Sequence, residues 1–257
     1  MLLPDRNVVS SLAAARRNLD RGNPDNLLAL LLNEPFQVNP LVFVLEGNKR
    51  RPPSNLEIEQ QVDEALRRFK IAMPNAKIIP DRTSAIRGAI GLWEDMRPSQ
   101  KRYEQFLIAA FHLLRPVGSS PSRREDVIRK LCAIAAKEDI EHLSLPFLLA
   151  WLVITLPQGK NPAMQLLKPG KREPPEQKAY NALADIRQLQ LLVYASALFP
   201  GQPTALLTHD RALAEIWTGL CIKDMRMNGK KCDFSIDFGS KAPFFSNVID
   251  SEIALFL

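Results

Sequence analysis

Short apolar runs that end on a turn or a carboxylate alternate along this chain with longer stretches of helical spacing, which predicts short strands set between helices. Leu2 and Leu3 begin a strand that ends at Pro4-Asp5, and Asn7 stands where a helix cap belongs, before the helical run Val8 to Arg17. Asn39 with Pro40 forms a cap and first turn for Leu41-Val42-Phe43-Val44-Leu45, which is apolar on every side. That run predicts a short buried helix stopping near Gly47, with Glu46 at its end. The spacing Leu56, Val62, Leu66, Phe69 predicts an amphipathic helix within Ser54 to Ala72, followed by a short strand from Ala76 to Ile79.

Residues 84–156 carry helical spacing without clear alternation, broken by the Pro/Gly/Ser segment from Pro116 to Ser122, and predict a helical insertion. Residues 158–178 are rich in Pro, Gly and Lys and predict a long basic loop, a mobile flap over the backbone of a nucleic acid. Helical periodicity returns from Gln177 to Leu198, Thr204 to Thr208 reads as a strand, and Asp210 opens a helix through Trp217. Leu220 to Met227 and Asp233 to Phe238 read as closing strands of the same sheet. The whole is an α/β chain, taken as a single domain over residues 1–257.

Composition narrows the partners. Apolar residues make up 46% of the chain, enough for a substantial core, and Lys plus Arg exceed Asp plus Glu by 34 − 28 = 6, with a pI near 9.3. A basic surplus of this kind favours polyanionic partners, nucleic acid ahead of acidic lipid. Cys132, Cys221 and Cys232 form no CxxC pair, so neither a disulfide framework nor a zinc site is expected. With no basic leader and apolar signal segment at Met1 to Arg6, the expectation is a cytoplasmic protein. Leu143 to Leu156 is the longest mainly apolar run; it carries Pro146, is too short for a bilayer core of about 30 Å, and reads as a buried helix, so no membrane is expected. P-loop, dinucleotide-binding, serine-hydrolase and zinc-protease motifs are all missing. The scattered His112, His142 and His209 have no ligand-spaced partner, and the three tryptophans fall within helical patterns as core residues.

Four carboxylates stand where a carboxylate is either awkward or faces a site. Asp5 and Asp210 each follow a strand and precede a helix, the end of an α/β sheet where ligands bind, although each also suits a turn or a helix cap. Glu46 meets the negative pole of a helix after five apolar residues and needs compensation, either from Arg50 at i+4 or from a cation. Asp185 shares a helical face with Leu189, Leu192 and Ser196, which sets it at the edge of the core, open either to a site or to a hydrogen bond from a neighbouring loop.

In order along the chain, Leu-Leu-Pro-Asp5-Arg-Asn7, Val-Leu-Glu46, Asn181-Ala-Leu-Ala-Asp185 and Leu-Leu-Thr208-His-Asp210-Arg resemble the acidic motifs of PIN-domain nucleases. The resemblance covers residues 1–50 and 177–227. It departs from the family pattern at Arg6 and His209, which replace small or amide residues, and in the long span between Glu46 and Asp185. It implies a parallel sheet flanked by helices, with Asp5, Glu46, Asp185 and Asp210 as metal ligands or close supports and Asn7 and Thr208 in polar support around them. The implied cofactor is Mg²⁺ or Mn²⁺, hard cations that take carboxylate oxygens, and the implied activity is hydrolysis of phosphodiester bonds, most often in RNA. Family analogy adds a toxin or antiviral role, an antitoxin or other regulatory protein as partner, and a homodimer as an option. Lys49, Arg50 and Arg51 after Glu46, with Lys168, Lys171 and Arg172 in the basic segment, are the expected contacts to nucleic acid. The alternative reading is a catalytically inactive PIN-like scaffold that binds a protein or nucleic acid.

Overall fold

The computed structural model describes residues 1–18, 35–46, 51, 53–114, 121–156, 161–170, 172–229 and 231–237. In chain order these form β1 (Leu2–Pro4), α1 (Arg6–Asn18), β2 (Gln37–Val38), α2 (Leu41–Glu46), α3 (Asn55–Ala72), β3 (Lys77–Ile78) and α4 (Arg82–Ala110). Then follow α5 (Pro121–Lys137), α6 (Leu145–Thr155), α7 (Pro162–Leu167), α8 (Pro175–Leu198), β4 (Ala205–Leu207), α9 (Arg211–Leu220), β5 (Ile222–Asn228) and β6 (Lys231–Ile236). The fold is mixed α/β, with a four-stranded parallel sheet flanked by helices. The chain divides into two compact units: Met1–Asp95 with Leu191–His209 and Arg226–Cys232, and Met96–Gln190 with Asp210–Met225 and the described residues from Asp233. The sequence pattern, read as one domain, does not separate them, because most of the divisions fall inside helices and strands instead of in linkers.

The first unit is built on the sheet, in the order β3-β2-β1-β4 with every pairing parallel. Leu2 aligns with both Val38 and Ala205, and Pro4 with Leu207, so β1 is an interior strand. The dipeptide β2 carries too few residues to show alternation, which is why the sequence gives no sign of it. Parallel strands need helical crossovers, and α1 and α3 supply the apolar cover: Val8, Val9, Leu12, Ile58, Val62 and Phe69 are buried. The helix α2 buries Val42 through Leu45, as its all-round apolar run predicts. Phe43 meets Phe69 edge to face, with centroids 5.6 Å apart. Each such large side chain contributes about 1.5–3 kcal/mol on burial. Ser54 and Glu57 close a capping box at the start of α3.

The second unit is mainly helical. All eleven residues of α6, Leu145 to Thr155, are buried, and Phe147 stacks on Phe106 at 6.0 Å. Residues 84–156, expected to be helical, carry most of α4 with α5 and α6. The predicted loop over residues 158–178 is corrected, because α7 lies within it and α8 already begins at Pro175. Local chemistry explains the helix: Asn161 caps it by accepting from Met164 N–H, Pro162 occupies its first turn, and Ala163, Leu166 and Leu167 are buried. A second correction concerns β5 and β6, which form a separate two-stranded sheet and do not extend the parallel one. Gly229 lies directly after β5 at φ +61°, a backbone geometry that favours glycine. Among the described residues no helix is long and apolar enough to cross a membrane.

Candidate functional site

The interior strand β1 pairs with β2 on one side and β4 on the other, and Asp5 follows its carboxyl end. In open α/β sheets that is the side, and the switch in strand order the place, where ligands bind. Asp5 is only 2% exposed. Its backbone N–H donates to the Leu207 carbonyl at 3.0 Å, and its Oδ1 accepts from the Val8 N–H at 2.6 Å. Asp5 is therefore the residue that caps α1. The expected cap, Asn7, lies exposed within the first turn of the helix, two residues past the position that accepts from its leading N–H groups.

Glu46 comes to the same helix end. The Arg6 N–H donates to Glu46 Oε2 at 3.0 Å, so the positive pole of α1 receives two carboxylates, Asp5 and Glu46. This answers the compensation that Glu46 requires at the end of α2; Arg50, the other candidate, lies outside the described residues. Burial pushes the Glu46 carboxyl above its ordinary value; the Arg6 N–H opposes the shift, and the Asp5 charge adds to it. The Arg6 side chain runs back across α2, donating Nε to the Phe43 carbonyl at 2.9 Å and lying 4.3 Å from the Phe43 ring centroid. Its Nη1 stands 3.8 Å from Glu64 on α3, and Glu64 also pairs with Arg68 at 2.6 Å. These contacts tie the turn after β1 to α2 and α3, and so fix where Glu46 sits. Sequence reasoning counted Arg6 only as a departure; the signal available was that the first N–H groups of α1 need acceptors.

The other two acids belong to the second unit. Asp210 caps α9, its Oδ1 accepting from Ala212 N–H at 2.8 Å and Leu213 N–H at 3.1 Å. Asp185 is half-buried on α8, with Leu189 and Leu192 of the same face in the core, as its periodicity predicts. It lines a cavity of about 250 Å³ together with Lys168, Glu173, Lys178 and Asn181. Thr208 is half-buried beyond β4. Among the expected nucleic-acid contacts, Arg51 is exposed and forks onto Glu57 with bonds of 2.9 and 2.6 Å, while Lys168 and Arg172 are exposed. Lys49, Arg50 and Lys171 lie outside the described residues.

Among the described residues no three His, Cys, Asp or Glu side chains converge as a metal cluster. By donor chemistry the Asp5–Glu46 pair fits a hard divalent cation, since Mg²⁺ takes one or two carboxylates and completes its shell with water and phosphate. In each carboxylate one oxygen is oriented by a backbone N–H, which fixes the group while leaving it a second oxygen. No protein-family profile, curated protein or solved structure matches the chain.

Proposed function

We propose that the chain is a PIN-like nuclease, dependent on Mg²⁺ or Mn²⁺, that hydrolyses phosphodiester bonds, with RNA as its first substrate. The observation that carries this reading is the meeting of Asp5 and Glu46 at the first turn of α1, at the carboxyl end of an interior parallel strand. Asp5 and Glu46 would hold the cation, and the N–H groups of Val8 and Arg6 orient them for it. When bound, the metal supplies a water of lowered pKa and neutralises charge on the phosphate. Asp5 is buried and Glu46 half-buried, which leaves their charges less screened than at an open surface. Asp185 and Asp210, in the second unit, are carried over only by the resemblance, and Asp210 is tested by its own substitution.

A second reading, a PIN-like scaffold without catalysis, is favoured by the work Asp5 and Asp210 do as helix caps, a role that needs no metal. The two readings separate in one assay. RNA, single-stranded DNA and duplex DNA are incubated with the chain in Mn²⁺ or in chelator, alongside Asp5→Asn. The nuclease reading expects Mn²⁺-dependent cleavage of RNA that Asp5→Asn abolishes; intact substrates throughout would leave the scaffold.

A further inference from the structure

We propose that the cavity beside Asp185 binds a phosphomonoester, with a single nucleotide as its ligand. The cavity lies wholly within the second unit, between the α7 end at Leu166 and Leu167, Lys168, and the first turns of α8. Lys168 is the residue that ends α7, and its left-handed backbone, at φ 48°, turns the chain there. Lys178 is held more tightly: its ammonium donates to the Pro169 carbonyl at 3.2 Å and lies 5.1 Å from the Phe111 ring centroid. Both contacts are to neutral groups, so they place the charge without cancelling it. An ammonium has three donors, which leaves Lys178 able to bond an oxyanion.

One turn further along α8, Asn181 accepts from Gln177 Nε2 at 2.9 Å through its carbonyl oxygen. Its amide protons are thereby the groups it offers to a ligand. Two ammonium groups and a carboxamide make a donor set for phosphate oxygens, since charge-assisted bonds to phosphate are the strong ones. The same wall carries Glu173 and Asp185, acceptors suited to hydroxyl or amino groups on the rest of the ligand. A purely anionic molecule would meet these carboxylates unfavourably, whereas a nucleotide carries phosphate at one end and sugar hydroxyls and a base edge at the other. The volume, about 250 Å³, sits just below the range of roughly 300–1,000 Å³ for small-molecule pockets and admits one such unit, not two. The phosphate can come from a free mononucleotide or from the phosphorylated end of an RNA strand.

This site needs neither the Asp5–Glu46 pair nor cleavage, so it is tested in chelator, where the proposed nuclease is silent. Calorimetric titration of the full chain with adenosine 5′-monophosphate, adenosine, inorganic phosphate and a short RNA with or without a 5′-phosphate separates the cases. The expected result is that the monophosphate binds at least tenfold more tightly than adenosine, and that Lys168→Ser with Lys178→Met removes this difference. Binding only of the 5′-phosphorylated RNA, lost in the same variant, supports the site with the strand end as the source. Lys168→Ser alone, at an exposed position, keeps the question open to measurement should the double variant fold poorly, and is expected to weaken binding several-fold. Equal affinity for adenosine and its monophosphate, or no binding by any phosphorylated probe, overturns the proposal.

Discussion

The backbone N–H of Arg6 donates to Glu46 Oε2 at 3.0 Å, which holds the last residue of α2 at the first turn of α1, beside Asp5. Two carboxylates thus share the positive pole of a single helix.

Glu46 makes metal-free stability depend on pH. Burial holds its carboxyl above the ordinary value of 4.5. Between that value and the raised one, the native state binds more proton than the unfolded state, so stability is greatest below the ordinary value and falls as pH rises through the raised one. Gln at this position still accepts from Arg6 and carries no charge. In chelator, Glu46→Gln is therefore expected to melt at a higher temperature than wild type at neutral pH and at the same temperature near about pH 4, where Glu46 is mostly protonated. Melting curves across that range check it, and parallel curves would contradict it.

Asp5 combines a cap with a charge, and two substitutions separate them. Asp5→Asn keeps an oxygen for the Val8 N–H and should leave stability near wild type while abolishing Mn²⁺-dependent cleavage. Asp5→Ala should lose the cap as well, at a cost of about 0.5–2 kcal/mol. Denaturant unfolding and cleavage rates measured on both variants decide this; an Asn variant that cleaves at the wild-type rate would leave Asp5 a cap alone.

Asp210 satisfies two N–H groups of α9, so Asp210→Ala should cost about 1–2 kcal/mol and Asp210→Asn much less. If Asp210 also serves the reaction, Asp210→Asn lowers cleavage at least a hundredfold with its melting temperature preserved. Unchanged cleavage would assign it wholly to the helix.

Much of this fold is legible in the sequence. The runs around Leu3 and Val44 mark β1 and α2 because short, buried segments must be apolar throughout, and Asp185 falls at the edge of the core where its spacing sets it. Asp5 and Glu46, expected on one site, meet at one helix end. The parts that escape depend on contacts distant in sequence or on very short segments. The two residues of β2 gain strand geometry only by pairing with β1 and β3. The Pro- and Lys-rich stretch reads as loop by composition, yet Asn161 and four buried residues make a helix of its middle. The bond from Arg6 to Glu46 spans 40 residues, and no local pattern encodes it.

Asn161 is the clearest single point of failure in the second unit. It is 2% exposed, donates to the Leu152 and Val153 carbonyls at 3.0 and 3.3 Å, and accepts from Met164 N–H at 3.1 Å. Asn161→Ala removes the side-chain donor to the Val153 carbonyl and the acceptor of the Met164 N–H, while the Leu152 carbonyl keeps the Leu156 N–H, at about 1–3 kcal/mol for each buried group left unsatisfied. The expected outcome is a loss of roughly 2–4 kcal/mol in denaturant unfolding, with faster amide exchange through Leu166 and Leu167. A loss under about 0.5 kcal/mol, the range of ordinary surface changes, would show that water replaces the side chain without penalty.

Whether Asp5 and Glu46 together hold a divalent cation is measured directly by titrating the metal-free chain with Mn²⁺ and following the loss of free-ion electron paramagnetic resonance signal. One saturable site is expected in the wild-type chain, with affinity at least tenfold weaker in Asp5→Asn and in Glu46→Gln and no saturable binding in the double variant. Equal Mn²⁺ binding by wild type and the double variant, or no saturable site in the wild type, would mean that Asp5 and Glu46 hold no cation.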